Sequence, residues 1–285
     1  MRRQKKIKTV VVYTILIWWT LMLAAPIYWL VITAFKGPAS INQGATYLPF
    51  IDFKPDFFAW DYIFVSQRDK VIPPFVNSVT ISLGAAALAV VIGSMAGYGL
   101  ARYNYRIGLV RNDGIALGFL SQRMFPAAVL IIPFLLMYRE AGLLDTRQGL
   151  LIAYTAFAIP FVVWVMRDFF RSLPVEVEEC ALLDGCSRFG VLWRIALPLS
   201  APGLVAVFVL TMIGAWNEYL FALMLTSSTG SRTWPVGLQL MVGEFQLPWG
   251  NLSAGGIISI APVVLLFALM QRAMVRGLTA GAVKG

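Results

Sequence analysis

The chain has 285 residues, of which 59% are apolar and 13% are charged. A soluble domain usually carries about 25% charged residues, so this composition excludes an ordinary soluble enzyme and a disordered chain. Histidine is absent, which excludes a His-based triad and a His-ligated metal or haem site. The two cysteines have no second pair, so neither a disulfide framework nor a zinc site is predicted. In a soluble protein, the net charge of +9 would suggest nucleic-acid binding.

Six stretches of the chain are long and apolar enough to cross a membrane, which takes about 20 residues in a helix. They cover Val10–Phe35, Phe75–Ala101, Gly114–Tyr138, Gly149–Met166, Gly203–Leu225 and Ala254–Val275. The first follows a basic tail, as a signal peptide does. Its apolar run of about 25 residues exceeds the 7–15 of a signal sequence, so it is expected to remain as a helix. The sequence therefore predicts an all-α membrane protein with six transmembrane helices.

The charges of the connecting segments indicate the orientation of these helices. With the N-terminus inside, the internal segments carry 15 basic and 6 acidic residues, and the external segments carry 7 of each. The whole +9 then lies on the internal side. This distribution is a topology signal and not a nucleic-acid-binding surface. Both termini are predicted to be cytoplasmic, with the lipid bilayer around the helices and no nucleic acid as a partner.

The spans divide the chain into regions that lie inside, outside or within the membrane. The predicted regions are a basic cytoplasmic tail (1–9), the first helix (10–35), an external, periplasmic segment (36–74), a core of five helices (75–275) containing a cytoplasmic loop (167–202) and a periplasmic loop (226–253), and a cytoplasmic C-terminal tail (276–285). Segment 36–74 is rich in proline and aromatic residues and is expected to fold over the membrane face. The aromatic residues of loop 226–253 favour a partner-facing loop over a simple connector.

The internal loop 167–202 is predicted to contain two short helices. Ser172 is expected to cap the first, whose early carboxylates suit the positive end of the helix dipole. Gly185 is expected to end that helix in the left-handed conformation. Ser187 begins the second helix, which is predicted to run over Arg188–Leu197 and to end at Pro198.

Part of this loop resembles the EAA loop of ABC-importer permeases. The family pattern is Glu-Ala-Ala, three residues, Gly, nine residues, Ile, one residue, Leu-Pro. The chain matches it at Glu179, Cys180, Ala181, Gly185, Ile195, Leu197 and Pro198, with Cys180 standing where Ala is usual. The resemblance implies a coupling helix that sits in a cleft of a cytoplasmic ATPase subunit. It assigns the docking core to Glu179, Ala181, Asp184 and Gly185.

Most of the chain from about residue 75 onward, together with the first span, is similar to the MalG-type permeases of sugar importers. The stretches that carry this likeness are Asn77-Ser78, Pro126 to Pro133, Gly142 to Thr146, Phe169 to Pro174, Ala215 to Tyr219 and the tail Gly277 to Gly285. The resemblance implies the type I importer permease fold, a heterodimer with a second permease, an ATPase dimer, a periplasmic solute-binding protein and the bacterial inner membrane. It also implies that the small, flexible tail reaches between the ATPase subunits, through Gly277 and Lys284. An idle tail is the alternative.

The energy source is absent from the chain, because no Gly-x-x-x-x-Gly-Lys-Ser/Thr phosphate-binding loop is present. ATP and Mg²⁺ are therefore expected on a partner ATPase, and the chain itself is predicted to be a transport subunit rather than an enzyme. The predicted function is a permease for a sugar or sugar-like solute that works by alternating access. Polyols, anionic sugars and glycerol phosphates are alternative solutes. A stand-alone secondary transporter would leave the 179–198 pattern unexplained, and a membrane enzyme would need a cluster of acids or metal ligands.

Apart from Arg272, which is counted with the cytoplasmic tail, two charged residues lie inside predicted spans. At 1.5 Å per residue, Arg123 is roughly 14 Å and Glu218 roughly 22 Å from the start of its span. Both are costly in lipid, so they are expected to face the helix bundle or a cavity, with Gln122 and Asn217 beside them. These four residues either contact the solute path or form a polar clamp between helices or with the partner permease. By resemblance, the sugar contacts come mainly from the other permease, which favours the clamp.

Overall fold

The computed structural model describes the backbone of residues 2–242 and 248–282 and the side chains of residues 8–242 and 248–271. The α-helices in chain order are α1 (Arg2–Ala34), α2 (Pro38–Asn42), α3 (Phe58–Asp61), α4 (Arg68–Arg102), α5 (Asn112–Ser121), α6 (Ala127–Glu140), α7 (Arg147–Ser172), α8 (Val175–Leu183), α9 (Arg188–Val191), α10 (Leu197–Leu199), α11 (Ala201–Trp216), α12 (Leu220–Leu225), α13 (Trp234–Gln239) and α14 (Trp249–Ala282). Two π-helical segments (Tyr62–Ser66 and Leu192–Ala196) and a 3-10 turn (Gln122–Met124) adjoin them. Strands β1 (Arg106–Ile107) and β2 (Val110–Arg111) form a short antiparallel pair.

Four helical stretches in the described part of the chain are long and apolar enough to cross a membrane. They are Lys8–Ala34, Arg68–Arg102, Arg147–Ser172 and Trp249–Gln271. Two bent pairs also pass this test, Asn112–Met124 with Ala127–Glu140 at 91° and Arg188–Leu199 with Ala201–Trp216 at 78°. If each bent pair is one span, the total is six, the number that the sequence predicts.

Two of the predicted spans are not continuous helices. The third is broken at Phe125, whose extended backbone (φ −69°, ψ 129°) precedes Pro126. A residue before proline disfavours the helical region because its own backbone clashes with the proline ring. The fifth is interrupted between Trp216, where α11 ends, and Leu220, where α12 begins. These two predicted spans are therefore each built from more than one helical piece.

The chain forms two compact units. The first comprises Met1–Ile72 and Leu238–Ala261, and the second comprises Pro73–Gly237 and Pro262–Gly285.

In the first unit, the segment that follows α1 packs against the end of that helix. Lys36 is buried, donates from Nζ to the Thr46 carbonyl at 2.6 Å and lies 4.5 Å from the centre of the Trp29 ring. Burial lowers the pKa of Lys36, against a smaller opposing effect of the Asp52 carboxylate. The Phe35 ring makes an edge contact with another aromatic ring, that of Phe57, at 5.5 Å. The segment is therefore a packed part of this unit rather than a free linker.

In the second unit, glycines let α4 approach α7 closely. A Cβ atom on Gly97 would lie 3.0 Å from the backbone nitrogen of Arg167, and one on Gly93 would lie 2.7 Å from Val162. Small residues at such contacts are typical of packed membrane helices. Fully buried Met166 and Phe170 continue the same core along α7.

Polar side chains fix part of the predicted loop 226–253 onto α4 and the start of α7. Asn77 is fully buried and donates from Nδ2 to the carbonyls of Thr229 (3.2 Å) and Arg232 (2.8 Å). The Asp145 carboxylate accepts the Ser227 and Ser228 amides at 2.8 and 2.9 Å and the Ser231 hydroxyl. Burial acts to raise the pKa of Asp145, but these hydrogen bonds outweigh it and hold that pKa well below its usual range. The stretches Asn77-Ser78 and Gly142 to Thr146 thus anchor this loop.

Candidate functional site

The helix α8 begins after Pro174 and ends in a left-handed turn. Ser172 does not cap it, since Ser172 still belongs to α7 and donates its hydroxyl to the Phe169 carbonyl at 2.7 Å, so the predicted cap was wrong. At the other end, Gly185 has φ +86°, which confirms the predicted left-handed glycine. Its amide donates to the Leu182 carbonyl at 3.1 Å, and the Cys186 amide donates to the Ala181 carbonyl at 3.0 Å. These two bonds form a Schellman motif, in which the last carbonyls of a helix are satisfied.

The second helix of the loop begins as predicted and extends further. The Ser187 hydroxyl accepts the Gly190 amide at 3.1 Å and caps α9. The helix does not end at Pro198, because it continues through the π-helical segment and α10 to Leu199 before the chain bends into α11.

The EAA-pattern residues separate into an exposed and a buried set. Glu179, Cys180, Asp184, Gly185 and Pro198 are exposed, Ile195 and Leu197 are half-buried, and Ala181 is buried. Ala181 therefore packs within this chain. Leu183, which the pattern does not single out, is 88% exposed at the end of α8. This end of the helix thus presents a large exposed apolar side chain beside two exposed carboxylates.

A buried ionic network holds the other face of α8. Glu178 accepts the Tyr98 hydroxyl at 2.8 Å and the Nε and Nη2 of Arg102 at 3.0 and 2.7 Å. Arg102 also donates to the carbonyls of Phe170 (2.7 Å) and Leu173 (3.3 Å). The side chains of Arg102 and Glu178 are only 10% and 6% exposed. The network therefore ties α8 to the ends of α4 and α7. Sequence reasoning missed it because Glu178 was read only as a helix-dipole carboxylate.

A cavity of about 740 Å³ lies where the two broken helices approach α7. Its aromatic lining consists of Phe125, Phe134, Tyr154, Phe157, Phe161 and Phe221. Its polar lining consists of Gln122, Arg123, Thr211 and Glu218. Asn217 is not among the lining residues and donates its side-chain amide to the Ile213 carbonyl at 2.9 Å. Three of the four polar residues singled out within the spans are thus brought together.

The two charges in this cavity have different surroundings. Glu218 accepts the Tyr154 hydroxyl at 2.7 Å and the amides of Phe221 and Ala222 at 2.9 and 3.2 Å, so it caps the start of α12. The Arg123 guanidinium lies 5.0 Å from the centre of the Phe161 ring. It makes no hydrogen bond or ion pair with any residue that the structure describes.

The predicted tail contacts lie at the edge of the described residues. Gly277 belongs to α14, whose helical backbone continues to Ala282, so the tail is helical up to that residue. Lys284 lies outside the described residues.

Residues 113–280 match the family described as "Binding-protein-dependent transport system inner membrane component". The chain is 33% identical over 263 residues to the sulfoquinovosyl glycerol transport system permease protein SmoH of Agrobacterium fabrum, covering 91% of this chain and 88% of the relative. It is 33% identical over 262 residues to the trehalose transport system permease protein SugB of Mycobacterium tuberculosis, covering 91% and 92%. A subunit of a bacterial ABC transporter involved in the import of alginate superposes with a TM-score of 0.76 at 23% identity, covering 95% and 97%. The chain therefore belongs to the binding-protein-dependent inner-membrane component family and is a multi-pass permease subunit of an ABC importer with the type I fold, a transport subunit rather than an enzyme.

Proposed function

We propose that the chain forms, with a second and different permease, the path by which a sugar or sugar-like solute crosses the bacterial inner membrane. The names of its relatives, which transport trehalose or sulfoquinovosyl glycerol, support a saccharide. An aromatic-lined cavity of about 740 Å³ supports a solute of that size, since small-molecule sites usually measure about 300–1,000 Å³. Polyols, anionic sugars and glycerol phosphates are the alternative solutes within the same function.

The observation that carries this proposal is the construction of α8. Its buried face is fixed by Glu178, and its end exposes Leu183, Glu179 and Asp184. Because α8 is bonded to the ends of α4 and α7, a partner that contacts its exposed end and displaces it also displaces those two helices. We assign it as the coupling helix for a cytoplasmic ATPase dimer. Since this chain has no phosphate-binding loop of its own, we assign the binding of ATP and Mg²⁺ to that dimer.

The mechanism is alternating access between two states of the permease pair. Closure of the ATPase dimer draws the coupling helices together, and the spans open toward a solute-loaded binding protein on the periplasmic side. Hydrolysis of ATP then returns them to the state that faces inward. The orientation in this scheme places both termini in the cytoplasm, as the distribution of basic residues supports.

Docking is tested by replacing Leu183 with Glu and capturing the complex through a tag on this chain. The expected result is loss of the ATPase subunit from the captured complex with retention of the second permease, since Leu183→Glu places a third carboxylate beside Glu179 and Asp184. Ile51, which is 79% exposed in the first unit, supplies the matched control Ile51→Glu, and that variant should retain the ATPase. If the Leu183→Glu complex captures as much ATPase as wild type, α8 is not the docking element.

A further inference from the structure

The cavity of the second unit lies at two helix discontinuities. The break at Phe125 brings Gln122 and Arg123 into the wall, and the break before α12 brings in Glu218. In membrane transporters, broken helices are found where a solute is bound, because interrupted backbone is tolerated only where it is buried in protein or lines a cavity. This placement indicates a binding site and not only a packing defect.

The two charged side chains of the cavity differ in their partners. Both carboxylate oxygens of Glu218 accept hydrogen bonds from this chain, from Tyr154 and from two amides of α12. The Arg123 side chain is exposed, and its guanidinium, with five N–H donors, has no acceptor among the described residues and lies 5.0 Å from the centre of the Phe161 ring. A ligand in this cavity therefore meets a cation whose donors the described chain leaves open.

A second polar group in the wall also lacks a partner. Thr211 of α11 is 6% exposed, and its hydroxyl oxygen makes no hydrogen bond with any described residue. Because this oxygen is enclosed by the protein, it is not a contact for a ligand, and the polar wall open to the cavity is formed by Gln122 and Arg123.

The remaining wall is aromatic. Phe134, Phe157 and Phe221 pack on one another at ring-centre distances of 4.7–5.4 Å and form a rigid apolar surface. Such a surface suits the C–H faces of a pyranose ring, whereas a simple inorganic anion would gain nothing from it. The ligand that fits the aromatic wall, the Gln122 amide and the Arg123 guanidinium has ring carbons, hydroxyl groups and an acidic group.

We propose that this cavity binds a saccharide carrying a carboxylate or sulfonate, with Arg123 as the contact for the acidic group. The inference rests on the proposed function and deepens it by placing a solute site in this subunit and stating the solute class. Arg123 is then a specificity residue, which selects acidic over neutral saccharides. The competing role for Arg123 is an ion pair with a carboxylate of the second permease.

The test uses the complete complex with its binding protein in proteoliposomes. The probe is a mixture of neutral di- and trisaccharides of glucose, galactose and mannose together with their uronate and 6-sulfonate counterparts, which differ from them only at C6. ATP-dependent accumulation is measured by mass spectrometry. Wild type is expected to accumulate acidic members, and Arg123→Gln to reduce that accumulation by about 10- to 100-fold, as expected for loss of a charged hydrogen bond. Arg123→Lys should fall between the two.

The matched control is Arg139→Gln, which removes an exposed arginine of α6 that does not line the cavity and should transport as wild type. Accumulation of neutral members alone by wild type would overturn the inference, as would unchanged transport by Arg123→Gln. Loss of the second permease from purified Arg123→Gln complexes would also overturn it, because Arg123 would then be an assembly contact. If wild type accumulates no saccharide at all, the proposed function itself fails.

Discussion

The ion pair between Arg102 and Glu178 on the buried face of α8 is expected to stabilise the folded protein, by an amount that follows from its geometry. Arg102→Met keeps most of the side-chain volume and removes both charged donors from Glu178, leaving only the Tyr98 hydroxyl at 2.8 Å. With the Glu178 side chain 6% exposed, the carboxylate then stays buried without a cation. Breaking a buried ion pair in this way costs about 3–5 kcal/mol, and loss of the bonds to the Phe170 and Leu173 carbonyls adds to it.

The double variant separates the ion pair from simple packing. In Arg102→Met/Glu178→Leu both charges are gone, and a buried pair replaced by apolar side chains is often close to neutral. The double variant is therefore expected to be more stable than Arg102→Met alone by about 2 kcal/mol or more, whereas independent sites would add to within about 0.5 kcal/mol. Tyr98→Phe removes one hydrogen bond to a charged group and should cost about 1.5–3 kcal/mol.

The free energy of unfolding is measured by denaturant titration of the purified protein in mixed micelles, with ATPase-coupled uptake as a second readout. Arg102→Met is expected to lower both stability and the uptake per ATP hydrolysed, because α8 is no longer held to α4 and α7. If the effects of Arg102→Met and Glu178→Leu, each measured alone, add up to that of the double variant, the two residues do not stabilise each other and the prediction is refuted. Wild-type coupling in a folded Arg102→Met complex would show that the network serves stability alone.

Two further predictions concern local backbone and acid stability. Gly185→Val places a β-branched residue at φ +86°, where the left-handed conformation costs a residue with a side chain about 1–2 kcal/mol. It should abolish solute-stimulated ATPase activity while membrane insertion persists. Gly118→Val, in open space on α5, is the control, and stimulated activity in Gly185→Val would contradict the docking role. Because the pKa of Asp145 is depressed in the folded state, its stabilisation is present above the ordinary value of 3.8 and is lost as the pH falls below it. Asp145→Asn should lower stability at pH 7 by about 1–2 kcal/mol and flatten the acid dependence below pH 4. The comparison variant is the exposed Asp69→Asn, in the first turn of α4, which should cost less, about 0.3–1 kcal/mol. An unaltered acid profile in Asp145→Asn would contradict this assignment.

Features with a local cause were predictable from the residues. The apolar stretches marked the spans because helix length is set by bilayer thickness. Gly185 and Ser187 were identified because a left-handed stop and a cap depend on the identity of one residue and its nearest amides. The helix boundaries were less certain. Pro126 breaks a predicted span although Pro73 and Pro160 lie within helices, so proline alone does not decide.

The internal loop 167–202 shows the same difference, between what the residues predict and what the fold decides, at two neighbouring residues. Glu178 and Glu179 are adjacent carboxylates in one helix turn, and the pattern match selected Glu179. Only the folded chain shows that Glu178 is the buried partner of Arg102, which is 76 residues away in the sequence. No local periodicity records such a pairing, because it depends on where α4 ends relative to α8.

Apolar length alone predicted a polytopic membrane protein, and the resemblance of the 179–198 pattern to the EAA loop indicated a permease. The sequence also showed that two charges enter the spans. It could not show that the two differ, because Glu218 is satisfied by a hydroxyl 64 residues away and by amides that become free only where α11 and α12 separate. The tertiary structure decided that Glu218 is a cap and that Arg123 lines the cavity without an acceptor among the described residues. The reason is that hydrogen-bond satisfaction is a property of surroundings assembled from distant parts of the chain.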